Sequence, residues 1–253
     1  MSLLSIKNLT VTVKESKILN GVSLDIAQGM IIGIVGGSGS GKTTLGLSIL
    51  KLLPQAMRQE TGQITFAGRD IGACTAEQMR QLRGRDIGMV FQEPLTALDA
   101  LFTIGSQMDE TLAAHTDLEP QVRRQRIIET LHSVEIEDPQ RIYGSYPHQL
   151  SGGLRQRAMI AQAIVCGPKL VIADEATSSL DVTIQAKIMQ LLRKLNKERG
   201  MGILLISHDL GMVSHLADEI AVMQEGRIVE YGAAAEIINR PKHGYTKSLI
   251  EAY

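Results

Sequence analysis

The run Met30-Ile31-Ile32-Gly33-Ile34-Val35 passes at once into Gly36-Gly37-Ser38-Gly39-Ser40-Gly41-Lys42-Thr43, and apolar residues follow at Leu45, Ile49, Leu52 and Leu53. This stretch constrains the chain more than any other. A short β-branched run without polar alternation suits a strand covered on both faces. The glycines open backbone torsions closed to other residues, and the apolar spacing beyond Lys42 marks one face of a helix that Pro54 should end. Strand, tight loop and helix, in that order, match the phosphate-loop pattern G-x-x-x-x-G-K-[ST]. There, backbone N–H groups curl around phosphates, Lys42 bridges phosphate oxygens and Thr43 binds Mg²⁺.

The rest of the chain extends this to an α/β sheet. Buried-strand runs recur at residues 170–173 and 203–206. Between them Ile184, Ile188, Leu191, Leu192 and Leu195 share a helical face, with Asp181 as its cap and Gly200 as its stop. Residues 3–26 alternate apolar and polar, which predicts antiparallel strands turning at Asn20-Gly21. Strands are also expected at 63–66 and 87–91. From there to about Leu150 the pattern is helical, clearest at 123–131, and 220–223 with 228–231 read as a hairpin.

Lys plus Arg number 26 against 27 Asp plus Glu, a net charge of −1, so no global basic field makes nucleic acid the default partner. Arg80, Arg83 and Arg85, and Arg123, Arg124 and Arg126, read as solvated helix faces. The apolar runs fall far short of the roughly 20 residues that cross a bilayer. The opening MSLLSIKNLT lacks a charged segment followed by an apolar one, and Cys74 and Cys166 have no metal-ligand spacing. A cytoplasmic location is expected.

Leu170-Val171-Ile172-Ala173-Asp174-Glu175 delivers two adjacent carboxylates to the C-terminal end of a buried strand, the usual ligand edge of a parallel sheet. Asp174 is expected to hold a metal and Glu175 to polarise an attacking water as general base. Leu150-Ser151-Gly152-Gly153-Leu154-Arg155-Gln156-Arg157 adds a second potential anion site at a helix start.

That last motif, 109 residues after Lys42, resembles the signature of the ATP-binding-cassette ATPases, and further matches run through nearly the whole chain in that family's order. The resemblance implies a P-loop NTPase (RecA-like) α/β core with an N-terminal antiparallel β region and an inserted α-helical subdomain. The core would be 1–91 and 159–232, the helical subdomain about 92–158 and the tail 233–253. It implies ATP and Mg²⁺. Gly36, Gly37, Ser38, Gly39, Ser40, Gly41, Lys42, Thr43 and Thr44 would bind the nucleotide, and Val13 would lie against adenine. Thr43, Gln92 and Asp174 would hold Mg²⁺. Glu175, His208 and Gln92 would be catalytic, His208 as the switch histidine at the γ-phosphate. Ser151, Gly152, Gly153 and Gln156 would grip the ATP of a second cassette, and Asp181, in Ser178-Ser179-Leu180-Asp181, would cross the dimer interface. Three positions depart from the pattern: Val13 stands where an aromatic usually stacks on adenine, Ala176 replaces a proline and Leu154 a glutamine.

Leu52-Leu53-Pro54, the stretch 62–71 and Gln92-Glu93-Pro94-Leu95-Thr96-Ala97-Leu98 are similar to the oligopeptide/dipeptide/nickel importer group. Residues 240–247 resemble that group's His-Pro-Tyr-Thr tail, with Gly244 in place of proline. The chain reaches Tyr253 without a cysteine-bearing extension, as in short nickel or metallophore subunits. The implied function is the ATP-hydrolysing subunit of an importer of peptides, nickel or a metal–metallophore complex. Its partners would be a second ATPase subunit (heterodimer expected, homodimer the alternative), two transmembrane permease subunits and, indirectly, a solute-binding protein. It would sit peripherally on the cytoplasmic face of the inner membrane. Residues 91–106, with exposed Leu95, Leu98 and Leu101, would dock a permease helix. The alternative is a soluble cassette ATPase, accessory to a multi-subunit assembly.

Overall fold

The computed structural model describes residues 2–177 and 180–251, with Leu95 in its backbone alone. Strands β1 (Ser2–Val13) and β2 (Ser16–Ala27) pair as an antiparallel hairpin. Leu4, Ile6, Leu9 and Val11 of β1 are buried. The turn falls at Lys14-Glu15, where Lys14 takes φ 53, and not at Asn20-Gly21. Gly21 instead lies inside β2 at φ 71, beside register shifts in the ladder, and its N–H donates to Thr10 Oγ1 at 3.2 Å. A bulge needs the same positive φ as a turn, so the dipeptide signals either.

β3 (Ile31–Val35) is buried throughout and feeds the glycine loop and α1 (Lys42–Ile49). The helix ends before the expected Leu52 and Leu53. Leu50 is its C-cap, Lys51 turns to φ 50, and the Lys51 ammonium donates to the carbonyls of Gly72 and Cys74 at 2.8 and 3.1 Å. A left-handed residue stops a helix without needing proline. β4 (Met57–Phe66) begins well before the apolar signal at 63–66, because its exposed first half is held by pairing with β1, Met57 opposite Val13. β5 (Arg69–Asp70) completes a four-stranded sheet in the order β2-β1-β4-β5, and α2 (Ala76–Leu82) follows.

Then come β6 (Ile87–Val90), α3 (Pro94–Ala97), α4 (Ile104–His115), α5 (Pro120–Ser133), α6 (Pro139–Gly144), a 3₁₀ turn at Pro147–Gln149, α7 (Gly152–Ile164), β7 (Leu170–Asp174) and α8 (Val182–Arg199). The chain closes with β8 (Gly202–Ser207), α9 (Leu210–Ser214), β9 (Glu219–Gln224), β10 (Arg227–Ala233), α10 (Ala234–Asn239) and α11 (Gly244–Glu251).

Contacts divide the chain into two compact units, Met1–Met79 with Met201–Tyr253, and Arg80–Gly200. In the first, β3 lies parallel between β8 and β9, and β10 pairs antiparallel with β9, the expected hairpin. The partly buried Asp218 carboxylate accepts from Ile31 N–H at 2.8 Å and so ties the start of β3 to the start of β9. In the second, β6 and β7 pair in parallel among helices.

The expected solvated arginine face on α5 is overturned. Arg123 forms a two-pronged bond to Asp109 of α4 at 2.7 and 3.1 Å, Arg126 donates to the Val165 carbonyl at 2.8 Å, and Arg124 stacks over Tyr143 at 5.3 Å. These guanidiniums fasten helices together. Bidentate geometry of this kind is what a planar fork supplies and a lysine does not.

Candidate nucleotide site

In the first unit the glycine loop admits no side chain where it turns. A Cβ on Gly36 would lie 2.1 Å from the Met223 carbonyl oxygen of β9, and one on Gly41, itself at φ 100, would lie 2.9 Å from the Ile18 carbonyl oxygen of β2. Lys42 is 6% exposed, and its ammonium donates to the carbonyls of Gly36 and Gly37 at 2.7 and 2.9 Å. The Ser40 hydroxyl is buried without a hydrogen-bond partner among the described residues. A buried cation, an orphaned hydroxyl and the start of α1 converge on one loop. That donor set suits a polyphosphate, whose oxygens accept from all three.

Thr43 and Thr44 are the second and third residues of α1. Val13 ends β1 opposite Ser16 in β2, the strand whose Ile18 backbone abuts Gly41. Ile18 therefore runs beside the loop, while Val13 stands at the hairpin end of β1. His208 follows β8 at the surface, and Asp209 next to it caps α9 by accepting from Met212 N–H at 2.7 Å. The Tyr231 hydroxyl is bonded to the Glu219 carboxylate. Burial first, then that carboxylate, pushes its phenol well above the ordinary range.

In the second unit, β7 is buried along its length and carries Asp174 at its end, almost inaccessible. An oxygen donor such as a carboxylate suits Mg²⁺. Glu175, the next residue, takes φ 44, a left-handed conformation that a non-glycine residue adopts only under constraint. The Gln92 amide donates to Glu175 Oε2 at 3.1 Å, so two expected catalytic residues meet. Ser151 is the N-cap of α7, its hydroxyl accepting from Leu154 N–H at 3.4 Å. Cβ atoms on Gly152 and Gly153 would lie 3.5 and 3.4 Å from side-chain atoms of Leu180 and Ile184, so the α7 start adjoins the segment around Asp181. Asp181 caps α8 by accepting from Ile184 N–H at 2.9 Å. Ser178 and Ser179 lie outside the described residues.

Two expectations need correction. Gln156 is fully buried, and neither end of its amide has a partner among the described residues. It cannot reach a nucleotide on another subunit as it stands, and the accessible start of α7 consists of Ser151 and Gly152 with Gly153 behind them. Leu98 is 3% exposed and belongs to the core, whereas Leu101 and the unanticipated Phe102 are 81% and 53% exposed. Helical spacing could not separate these, because Leu98 ends the short α3 in extended backbone. One contact had no signal in the sequence beyond the tail motif: Tyr245 of α11 meets the glycine loop at Gly37.

The ABC transporter family matches residues 19–178. The chain is 44% identical to a dipeptide transport ATP-binding protein of Haemophilus influenzae over 256 residues, covering 100% of this chain and 78% of that protein. It is 43% identical to an oligopeptide transport ATP-binding protein of Lactococcus lactis, covering 94% and 71%. Among solved structures, an ATP-binding cassette whose dimer was captured after hydrolysis with ADP and Pi superimposes with a TM-score of 0.81 at 30% identity, covering 91% of this chain and 98% of that one. The chain belongs to the ABC transporter family, as one of its ATP-hydrolysing cassettes.

Proposed function

We propose that this cassette powers the import of peptides through separate membrane subunits. The glycine loop with its buried Lys42 carries the ATPase part of this reading, and the names of the 43–44% identical relatives carry the substrate class. Among the described residues no helix is long and apolar enough to cross a membrane. A pathway built from other chains, with this one lying against them on the cytoplasmic face, is part of the proposal and rests on the names of the relatives. The core at 1–91 and 159–232, helical subdomain at about 92–158 and tail at 233–253 follow the family resemblance, and they cut the chain elsewhere than its compact units do.

When bound, Mg-ATP supplies the phosphoanhydride whose γ-phosphorus water attacks. Lys42 exchanges its loop carbonyls for phosphate oxygens, a stronger charge-assisted pairing. By the family resemblance, Thr43, Gln92 and Asp174 would hold Mg²⁺. Glu175 takes the proton of the attacking water, and Gln92 holds that carboxylate in orientation. His208 senses the γ-phosphate. Ser151, Gly152 and Gly153 present N–H groups at the α7 start to the ATP of a second cassette, and Asp181 lies beside that interface.

Two variants separate binding from chemistry. Lys42→Ala is expected to weaken ATP binding itself. Glu175→Gln should bind ATP normally but hydrolyse it at least about 10²-fold more slowly, since an amide cannot accept the proton. Host cells carrying either should lose peptide uptake. Retained uptake of peptides with loss of a nickel or metallophore complex would move the cargo to the metal class.

A further inference from the structure

We infer that Tyr245, on the C-terminal helix, is a positioning residue for the phosphate loop. It shapes the loop from behind so that the loop meets ATP already formed. This inference rests on the ATPase reading of the loop.

Gly37 is held on both of its backbone polar groups. Its N–H donates to the Tyr245 hydroxyl at 2.8 Å, while its carbonyl accepts from Lys42 Nζ at 2.9 Å and from Ser40 N–H at 3.3 Å. The carbonyl contacts come from within the loop, and the lysine's is surrendered when the ammonium turns to phosphate. The N–H contact comes from a residue 208 positions away and is not in competition with a phosphate-binding side chain. On this inference Gly37 serves the nucleotide through the shape of the loop, its own N–H staying with Tyr245.

The tail is built to hold that hydroxyl in place. Before α11, the Glu230 carboxylate of β10 accepts from Lys242 N–H at 2.8 Å and from His243 N–H at 3.0 Å. Tyr245 N–H donates to His243 Nδ1 at 3.2 Å, and Thr246, the next residue, is fully buried. The helix also packs on α9, the element that follows His208. One short helix thus touches both the loop and the helix after the proposed γ-phosphate sensor. A Cβ on Gly37 would lie 3.1 Å from the Tyr245 oxygen, so glycine at 37 and tyrosine at 245 fit as a pair.

Removing this tie should loosen the loop before ATP arrives. The loop's phosphate contacts serve ground state and transition state alike, so the loss should fall on KM and spare kcat. Tyr245→Phe is expected to raise KM for ATP about three- to tenfold, the range of one hydrogen bond, with kcat within about twofold. Amide exchange at Gly37 should accelerate. Tyr245→Leu removes the hydroxyl together with the ring and keeps the test open if the Phe variant folds poorly; Gly37→Pro removes the donor from the other side but also sets a Cβ 3.1 Å from the Tyr245 oxygen, so it is read beside Tyr245→Phe, where that oxygen is gone. It too should raise KM, and the double variant should be no worse than the poorer single one. An unchanged KM and unchanged Gly37 exchange in Tyr245→Phe, a fall in kcat alone, or strictly additive effects in the double variant would each overturn the inference. If the wild-type chain shows no ATP hydrolysis, the ATPase reading fails instead, and the two failures are distinct.

Discussion

Val13 stands at the end of β1 where the family places a ring, and the expected contacts for adenine are this aliphatic side chain and the partly buried Ile18. Tyr231 is a poor substitute, because its hydroxyl is committed to Glu219. Phosphate recognition should then dominate affinity. GTP is expected to bind within about tenfold of ATP, a gap of about 1.4 kcal/mol, and Val13→Tyr should tighten ATP by up to about 1 kcal/mol if the ring stacks. Titrating both nucleotides against both chains checks this, and a preference for ATP of a hundredfold would place base recognition on another residue. At this scale the motif residues were legible because chemistry fixes their spacing. Gly36 must be glycine for the Met223 carbonyl to pass, and the pattern records that need. The burial of Gln156 was not legible, since it depends on which helices pack over α7, and neither was Tyr245, whose partner lies 208 positions away.

Among the elements, α8 reads most directly from its sequence. Its apolar face is buried at Ile188, Leu191, Leu192 and Leu195, Asp181 caps its start, and Gly200 ends it at φ 62. Asp181→Ala deletes the acceptor for Ile184 N–H and should lower stability by about 1 kcal/mol. For a chain of this size, a thermal melt should drop by about 2–4 °C. A larger loss would mean that Asp181 supports more than its own helix. The buried strands β3, β7 and β8 were equally plain, being unbroken apolar runs. The first half of β4 and the early end of α1 were not, because each is decided by a partner: β1 holds exposed residues in a strand, and the carbonyls of Gly72 and Cys74 hold Lys51 out of the helix.

For the molecule as a whole, the proposed trans role of Ser151 makes activity a property of a pair. Ser151→Arg should leave ATP binding to one chain intact while blocking closure on a partner's nucleotide, and Lys42→Ala disables the other half-site. On the heterodimer reading, a mixture of the two variant chains stays silent and regains turnover only when a different cassette is supplied. Recovery in the simple mixture would show that this chain pairs with itself. Either outcome is read from the same ATPase assay. The left-handed backbone at Glu175 bears on the whole chain in another way. A non-glycine residue held there costs on the order of 1–3 kcal/mol, a sizeable share of a domain's net stability. Glycine at that position would relax the torsion and remove the proposed base in a single substitution. Any campaign that selects this chain for heat resistance alone is therefore drawn toward a sturdier, silent protein, and only a screen scored jointly on turnover keeps residue 175 as it is.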